Sequence, residues 1–164
     1  MKRTACLSLG SNLGDREANL REAIAHLDEL GRVSKVSALY ETEPVEVSGQ
    51  QPWFLNCAAA VETELTSLEF LKRLLAIELA MGRKRTEPKG PRTIDMDIIF
   101  FGDEVLDTKE LSLPHPAMQH RRFVLEPLAE IAPEAWHPVL RRTVRELLNS
   151  LPVDSGSVRR SQQN

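Results

Sequence analysis

Two aspartates separated by a single residue are the sharpest chemical feature of this sequence. Asp95 and Asp97 lie in the segment 94–101, whose apolar and β-branched residues predict a strand. Because side chains alternate between the two faces of a strand, both carboxylates point the same way, roughly 7 Å apart. A hard divalent cation such as magnesium would relieve their repulsion and would also bind phosphate oxygens. Ordinary surface acids at the end of a strand give the same pattern. The residues expected to face a core instead are Ile94, Met96, Ile98 and Phe100.

A strongly basic segment comes directly before these aspartates. Arginine side chains match the geometry of phosphate oxygens, and an acid pair beside them is a layout suited to phosphoryl transfer. Catalysis of that reaction consists mostly of positioning and charge neutralisation. A solvated charged turn would have the same composition, so the segment alone leaves both interpretations open. The cations are Arg83, Lys84, Arg85, Lys89 and Arg92.

Five further side chains are candidates for binding a ligand. Glu78 continues the apolar seam of a predicted helix, so its carboxylate either faces a cleft or reaches solvent at the edge of that seam. Phe54 and Asn56 share one face of a predicted strand, where a ring can stack on a flat heterocycle and an amide can bind its edge. Phe123 is a candidate for the other side of that heterocycle, although core packing explains both rings as well. His115 is fixed between two prolines and either binds phosphate or is an ordinary loop histidine.

A glycine-containing turn at 10–14 lies between a predicted strand and a predicted helix, where phosphate loops occur. It lacks the Lys-Ser/Thr ending and the glycine spacing of the known nucleotide-binding fingerprints. Asp15 at the start of the helix would also repel a phosphate. We therefore interpret the segment as a structural turn that is followed by a helix cap at Asp15.

These candidates must be positioned by elements whose order predicts the fold. The predicted strands are 4–9, 33–40, 53–61 and 94–101, and the predicted helices are 15–30 and 67–81, the second opened by a Thr66–Glu69 capping box. The order β-α-β-β-α-β is the ferredoxin-like arrangement, an α+β sheet with helices on one face. A weak hairpin over 105–113 and C-terminal helices, one of them capped by Thr143 and Glu146, extend this unit. We expect one domain over 1–152 and a frayed polar tail over 153–164.

The composition argues against several classes of protein. The chain has 164 residues and a formal net charge of -3, which fits one globular domain and argues against a broadly basic nucleic-acid binder. Cys6 and Cys57 lie in apolar segments without metal-type spacing, so we expect buried, reduced thiols and a cytoplasmic location. The apolar stretch near Met1 is too short for a signal peptide or a membrane span. We expect a monomer that binds neither nucleic acid nor membrane.

Several short motifs along the chain carry a family resemblance. They are LGSNLGD at 9–15, YETEP at 40–44, FLN at 54–56, IE at 77–78 with GR at 82–83, GPRTIDMDI at 90–98, LPHP at 113–116 and RRF at 121–123. In this order they resemble the motifs of the 6-hydroxymethyl-7,8-dihydropterin pyrophosphokinase family. The resemblance extends to about Pro152, and the segment 90–98 is its most specific part.

The resemblance implies a diphosphate transfer from ATP in folate biosynthesis. The hydroxymethyl oxygen of the pterin attacks the β-phosphorus of ATP, and AMP leaves. Two magnesium ions, held by Asp95, Asp97 and the triphosphate, orient the phosphates and neutralise developing charge. Arg83 and Arg92 act as catalytic groups on the phosphates. The resemblance places Glu78, Arg85, Lys89, Ile98, His115 and Arg121 around ATP, and Thr42, Pro44, Val45, Phe54, Asn56 and Phe123 around the pterin.

The sequence also departs from the family pattern in the basic segment. Many relatives have Arg-Trp before Gly-Pro-Arg, whereas this chain has Pro88 and Lys89, and the segment is about one residue shorter. Lys89 can replace the charge but not the aromatic ring. The resemblance implies that the loops 42–51 and 82–91 close over the substrates and exclude water. The departures therefore concern affinity and loop closure more than the type of reaction.

Two other functions would use parts of the same pattern. A metal-dependent phosphohydrolase or nucleotidyl transferase would explain the carboxylates and arginines but not Phe54, Asn56 and Phe123. Such an enzyme would release ADP or phosphate, whereas the pyrophosphokinase releases AMP and a diphosphorylated acceptor. A ferredoxin-like module that binds nucleotide without turnover would release no AMP, and it would give Asp95 and Asp97 no reason to share a face.

Overall fold

The fold is a mixed arrangement of strands and helices in a computed structural model, which describes residues 2–44, 51–82, 93–153 and 156–161. The first part of the chain forms β1 (Arg3–Ser11), α1 (Arg16–Leu27), β2 (Arg32–Val36), β3 (Tyr40–Thr42), β4 (Phe54–Thr63), α2 (Ser67–Ala80) and β5 (Asp95–Phe101). The second part forms β6 (Leu106–Asp107), β7 (Ser112–Leu113), a 3-10 helix (Met118–His120), α3 (Arg122–Ile131), β8 (Trp136–His137), β9 (Arg142–Thr143), α4 (Val144–Asn149) and β10 (Val158–Arg160).

The main sheet has the strand order β10-β3-β4-β1-β5, with β2 also paired to β4. Every pairing in it is antiparallel. Strands β2 and β3 lie one after the other along the same side of β4, so together they take the place of the second strand of a ferredoxin-like sheet. The predicted ferredoxin-like α+β class is confirmed, and so is the extra hairpin, which β6 and β7 form.

Side-chain caps set the beginnings of three helices, as the sequence predicts. The carboxylate of Asp15 accepts a hydrogen bond from the Ala18 amide at the start of α1. Thr66 and Glu69 form a complete capping box before α2. Thr143 and Glu146 form a second one before α4. These contacts satisfy amide groups that have no partner inside the helix, which fixes where each helix begins.

The sheet carries a hydrophobic core on each of its two faces. The first core contains Leu20 and Leu74, from α1 and α2, together with Leu7 of β1. The second core contains Leu128 of α3 and Val144 of α4, and it also includes the strand residues Cys6, Ala58 and Phe100. The helices of the ferredoxin-like unit therefore cover one face, and the C-terminal helices cover part of the other.

The expectation that Phe100 faces the same core as Ile94, Met96 and Ile98 is wrong. Those three residues belong to the first core, whereas Phe100 and its neighbour Ile99 both belong to the second. The reason is a register shift in the pairing of β5 with β1, where Leu7 pairs with Ile98 but Cys6 pairs with Phe100. Such a bulge adds one residue to a strand and reverses the alternation beyond it.

Three other expectations from the sequence need correction. The strand predicted over 33–40 is two strands, because the side chain of Ser37 accepts the hydrogen bond of the Ala58 amide and interrupts the ladder. Of the expected C-terminal helices, α3 was given no bounds from the sequence, since it contains Pro127, a residue that usually breaks a helix interior. The tail expected to be frayed contains the strand β10. In the part of the chain that the structure describes, no helix is long and apolar enough to cross a membrane.

Candidate active site

The two aspartates lie on the same face of the main sheet as Phe54 and Asn56, the candidates for binding a heterocycle. Asp95 on β5 pairs with Gly10 on β1, and Gly10 in turn pairs with Asn56 on β4. Asp97 likewise pairs with Ser8, which pairs with Ala58. Residues directly opposite each other in an antiparallel pair point to the same side, so both rows belong to the face that carries the second core. We call this side of the sheet the site face.

The predicted orientation of the aspartates is confirmed by this pairing. Both Asp95 and Asp97 are half-buried. The strand that carries them, β5, is at the edge of the main sheet. Two carboxylates on one face of an edge strand provide hard oxygen donors to a neighbouring cation.

Glu78 fixes this edge strand from the side. The residue is buried, only 2% exposed, and its Oε2 atom accepts a hydrogen bond from the Met96 amide at 2.7 Å. Met96 lies between the two aspartates, and its N–H points away from β1, on the side of β5 where the described residues form no further strand. Of the two interpretations of Glu78, the one in which it reaches solvent is wrong. The contact assigns the carboxylate a positioning role that the sequence did not indicate.

Asn56 is held in a defined orientation. The side chain is 4% exposed, its amide nitrogen donates to the Leu9 carbonyl at 3.2 Å, and its oxygen accepts from the Thr42 hydroxyl. These contacts use one of the two N–H groups and one of the two lone pairs of the amide. The remaining donor and acceptor match the alternating edge of a nitrogen heterocycle.

Gly10 is required for Asn56 and Phe54 to lie over β1. A Cβ atom at this position would come within 2.5 Å of the Asn56 amide nitrogen and 3.3 Å of the Phe54 ring. A glycine inside a strand often marks a close approach by another group, and this signal is visible in the sequence. The interpretation of 10–14 as a simple turn therefore missed the contribution of Gly10 to the site.

Asn12 of the turn and Arg16 of α1 bind the segment 51–53, which leads into β4. The side chain of Asn12 is buried and donates to the Gln51 side chain at 3.0 Å and to the Pro52 carbonyl at 3.2 Å. Arg16 binds Glu41 through two hydrogen bonds of 2.8 and 2.9 Å, and a further bond of 3.0 Å reaches the Trp53 carbonyl. The Glu41 side chain raises the pKa of Arg16. None of these residues was recognised from the sequence as a support of the site.

Among the candidates after β7, the structure places the Phe123 ring on the site face. Phe123 belongs to α3 and packs against the second core, so it lies on the same side of the sheet as Phe54. The guanidinium of Arg121 lies 5.6 Å from the centre of the Phe123 ring. His115 is tied to β5 because its amide donates to the Ile99 carbonyl, and its Nδ1 atom accepts from the Ala117 amide at 3.1 Å.

Several predicted site residues fall outside this description. The side chain of Ile98 is buried in the first core, on the opposite side from the aspartates, so only its backbone is available to a ligand on the site face. Pro44 is half-buried at the end of the segment that follows β3. The positions that lie outside the described residues are Val45, Arg83, Arg85, Lys89 and Arg92.

The described residues do not form a complete metal cage. Over 2–44, 51–82, 93–153 and 156–161, no group of three or more His, Cys, Asp or Glu side chains is arranged to hold a metal ion. The carboxylates of Asp95 and Asp97 nevertheless suit magnesium, which usually binds one or two carboxylates and completes its shell with phosphate oxygens and water. The donor set therefore fits a cation that arrives together with a phosphorylated ligand.

Comparison with known proteins identifies close relatives. Residues 6–133 match the family model described as 7,8-dihydro-6-hydroxymethylpterin-pyrophosphokinase. The chain is 47% identical over 133 residues to 2-amino-4-hydroxy-6-hydroxymethyldihydropteridine pyrophosphokinase of Bacillus subtilis, and the match covers 80% of this chain and 79% of that protein. It is 41% identical over 150 residues to the folic acid synthesis protein fol1 of Schizosaccharomyces pombe, covering 90% of this chain but 20% of that protein.

Solved structures show the same fold. A crystal structure of Plasmodium falciparum HPPK-DHPS superimposes with a TM-score of 0.73 at 21% identity. The match covers 91% of this chain and 44% of that one. The chain thus spans most of the bacterial relative but less than half of the Plasmodium protein and a fifth of the yeast protein.

Proposed function

Since this chain belongs to the 7,8-dihydro-6-hydroxymethylpterin-pyrophosphokinase family, we propose that it transfers a diphosphate group from ATP to 6-hydroxymethyl-7,8-dihydropterin. The hydroxymethyl oxygen loses its proton and forms a bond to the β-phosphorus. The bond from that phosphorus to the α,β-bridging oxygen breaks, and the oxygen leaves with AMP. The reaction is a step of tetrahydrofolate biosynthesis.

One observation carries this proposal. The row Asp95–Gly10–Asn56 brings a carboxylate that suits a phosphate-bound cation and an amide that suits a heterocycle onto the same face of three adjacent strands. A phosphohydrolase would need the first group but has no use for the second. A diphosphate transfer to a pterin needs both, side by side, because the acceptor oxygen must meet the β-phosphorus.

The acceptor subsite is formed by β3, β4 and the start of α3. Asn56 binds the edge of the pterin, in an orientation that Thr42 and the Leu9 carbonyl hold. Phe54 stacks on one side of the ring and Phe123 on the other. The segment from Thr42 through Pro44 and Val45 completes this subsite with backbone groups. A fixed donor and acceptor reject heterocycles that lack the matching pattern, since a mismatch leaves buried polar groups without partners.

The phosphate subsite is formed around β5. Asp95 and Asp97 would hold two magnesium ions, which when bound orient the triphosphate and neutralise the charge that develops on it. Glu78 keeps the strand between them in place through the Met96 amide. Arg83 and Arg92 act on the transferred phosphates. The other groups proposed to bind ATP are Arg85, Lys89, the backbone of Ile98, His115 and Arg121.

The test is the formation of AMP by the purified protein with ATP, magnesium and the reduced pterin. We expect AMP only when all three are present. Asp95→Ala and Asp97→Ala should each lower the rate by orders of magnitude, because a lost metal ligand removes on the order of several kcal/mol of transition-state stabilisation. Asp107→Ala, an exposed acid on β6, is the matched control and should leave the rate unchanged.

The products separate this proposal from its alternatives. Release of ADP or phosphate without modification of the pterin would assign the carboxylates to a phosphohydrolase. Binding of ATP without any release of AMP would assign them to a nucleotide-binding module.

We further propose that the protein acts as a monomer in the cytoplasm, where the buried thiols of Cys6 and Cys57 stay reduced. Burial raises the pKa of Cys57 to about 12, which makes that thiol unreactive.

A further inference from the structure

The strand β10 lies against the strand that carries Thr42. The two pair antiparallel, with Val158 opposite Thr42 and Arg160 opposite Tyr40. The pairing continues beyond both ends of the strands. The Glu43 amide donates to the Ser157 carbonyl at 2.9 Å, and the Ser161 amide donates to the Leu39 carbonyl at 2.7 Å. The C-terminal segment 156–161 therefore covers the outer edge of β3.

This edge needs a partner because β3 is short. It has three residues, and its inner side is bound only by the first residues of β4. A strand of this length at the edge of a sheet has few hydrogen bonds of its own to hold it. With β10 in place, β3 becomes an interior strand, and Thr42 is held from both sides.

Through Thr42 the C-terminal strand acts on Asn56. The Thr42 side chain is 1% exposed and donates to the oxygen of the Asn56 amide. Any movement of β3 would carry the hydroxyl away from that oxygen and release the amide. The orientation of the acceptor-binding amide thus depends on a strand more than a hundred residues later in the chain.

A second contact joins β10 to Trp53, the residue directly before β4. The guanidinium of Arg159 lies 5.1 Å from the centre of the Trp53 ring, which is the geometry of a cation–π contact. Trp53 directly precedes Phe54, and its carbonyl also binds Arg16. The Arg159 side chain therefore restrains the residue that leads into the stacking ring.

We propose that the C-terminal strand β10 is a positioning element for the acceptor subsite, acting through Thr42 on Asn56 and through Trp53 on Phe54. This inference rests on the proposed function. The carboxylates of Asp95 and Asp97 lie on β5, at the opposite edge of the sheet from β10. Loss of the strand therefore weakens pterin binding and leaves ATP binding largely unchanged.

The test compares the full chain with a truncation after Val153 and with the variants Arg159→Ala and Arg159→Lys. For the truncation we expect the KM for the pterin to rise about tenfold with the KM for ATP within about twofold, as the loss of one or two orienting hydrogen bonds predicts. Arg159→Ala should raise the pterin KM about threefold, and Arg159→Lys, which keeps a cation over the ring, should restore most of it. Arg145→Ala removes an exposed positive charge on α4 and serves as the control.

A binding measurement separates the possible failures. The full chain is titrated with the reduced pterin in the presence of a non-hydrolysable ATP analogue. If the full chain binds the analogue but not the pterin, the proposed function fails. If it binds the pterin, and the truncated chain binds it equally well or loses affinity for both ligands alike, the positioning role of β10 is overturned. If the truncated chain does not fold, Arg159→Ala and Arg159→Lys are compared in its place. The positioning role is then overturned if Arg159→Ala binds the pterin as well as the full chain does, or loses affinity for both ligands alike.

Discussion

Thr42 is the residue on which the orientation of the Asn56 amide depends. Thr42→Val keeps the branched shape in the strand and removes the hydroxyl donor, so the buried Asn56 oxygen loses its partner. Such an orphaned group costs about 1–3 kcal/mol, and here the amide is also released to turn. We expect the KM for the pterin to rise about tenfold while the KM for ATP stays the same. Steady-state kinetics with each substrate varied in turn provide the measurement.

A second buried threonine gives the control for this experiment. Thr63 is 1% exposed, lies at the far end of β4, and donates to the Leu30 carbonyl at 2.7 Å. Thr63→Val should lower the free energy of unfolding to a similar extent without changing either KM. An equal rise of the pterin KM in both variants would mean that the effect is a general loss of stability.

Glu78 offers a test of how β5 is held. Glu78→Gln keeps an oxygen that can accept from the Met96 amide, whereas Glu78→Ala leaves that buried amide without its partner. We expect the alanine variant to lose about 1–3 kcal/mol of unfolding free energy and much of its AMP formation, and the glutamine variant to keep most of both. Urea unfolding and AMP release are measured side by side. A glutamine variant as poor as the alanine variant would show that the negative charge matters more than the hydrogen bond.

At the scale of single residues, the sequence predicts which side chains share a face of a strand but not which side chains contact each other between strands. The period of two along a strand was enough to place Asp95 with Asp97, and Phe54 with Asn56. The contact of Thr42 with Asn56 and the need for a glycine at position 10 depend on the pairing register between strands. That register is set by packing over the whole sheet, so no local pattern contains it.

At the scale of single elements, the hairpin of β8 and β9 contains a titratable group. His137 is buried beneath Phe100, and its Nδ1 atom accepts hydrogen bonds from the amides of Val139 and Leu140. Desolvation by burial lowers the pKa of His137. A histidine that is more acidic in the folded state contributes stability above its unfolded pKa, about 6.5, and loses it as the pH falls through the folded value.

We therefore expect the stability difference between the wild type and His137→Gln to be largest at pH 8 and to shrink toward pH 5. The free energy of unfolding of both proteins is measured by urea titration across this range. Taking the difference removes every contribution that is the same in both proteins. A difference that is constant with pH would mean that His137 is not the group responsible.

The elements that the sequence predicts correctly are those with strong local signals. Capping boxes and apolar periodicity identify α1, α2 and α4. The position of α3 among the expected C-terminal helices was not predicted because Pro127 lies within it, and the helix is maintained by burial of Val124, Leu125 and Leu128 rather than by propensity. Likewise, β10 has little apolar character, and its position is determined by the free edge of β3.

At the scale of the whole molecule, the decisive feature is that two cores share one sheet. The element order predicts the ferredoxin-like unit and its first core. The second core depends on α3, whose bounds the sequence does not predict, and on the bulge that places Phe100 in that core. Because the site face carries the second core and the opposite face of the same strands carries the first, the proposed acceptor and phosphate subsites depend on both cores.

This shared sheet predicts a single cooperative unfolding transition. Leu74 in the first core and Leu128 in the second are each 1% exposed, so Leu74→Ala and Leu128→Ala should each cost about 2–5 kcal/mol of unfolding free energy. Both variants should unfold in one step, with far-ultraviolet circular dichroism and tryptophan fluorescence giving the same midpoint. Trp136 lies on β8 beside His137, whose ring contacts Phe100 of the second core, and Trp53 directly precedes β4. If Leu128→Ala unfolds in two steps, α3 and α4 are a separate unit, and the acceptor subsite would be lost before the phosphate subsite.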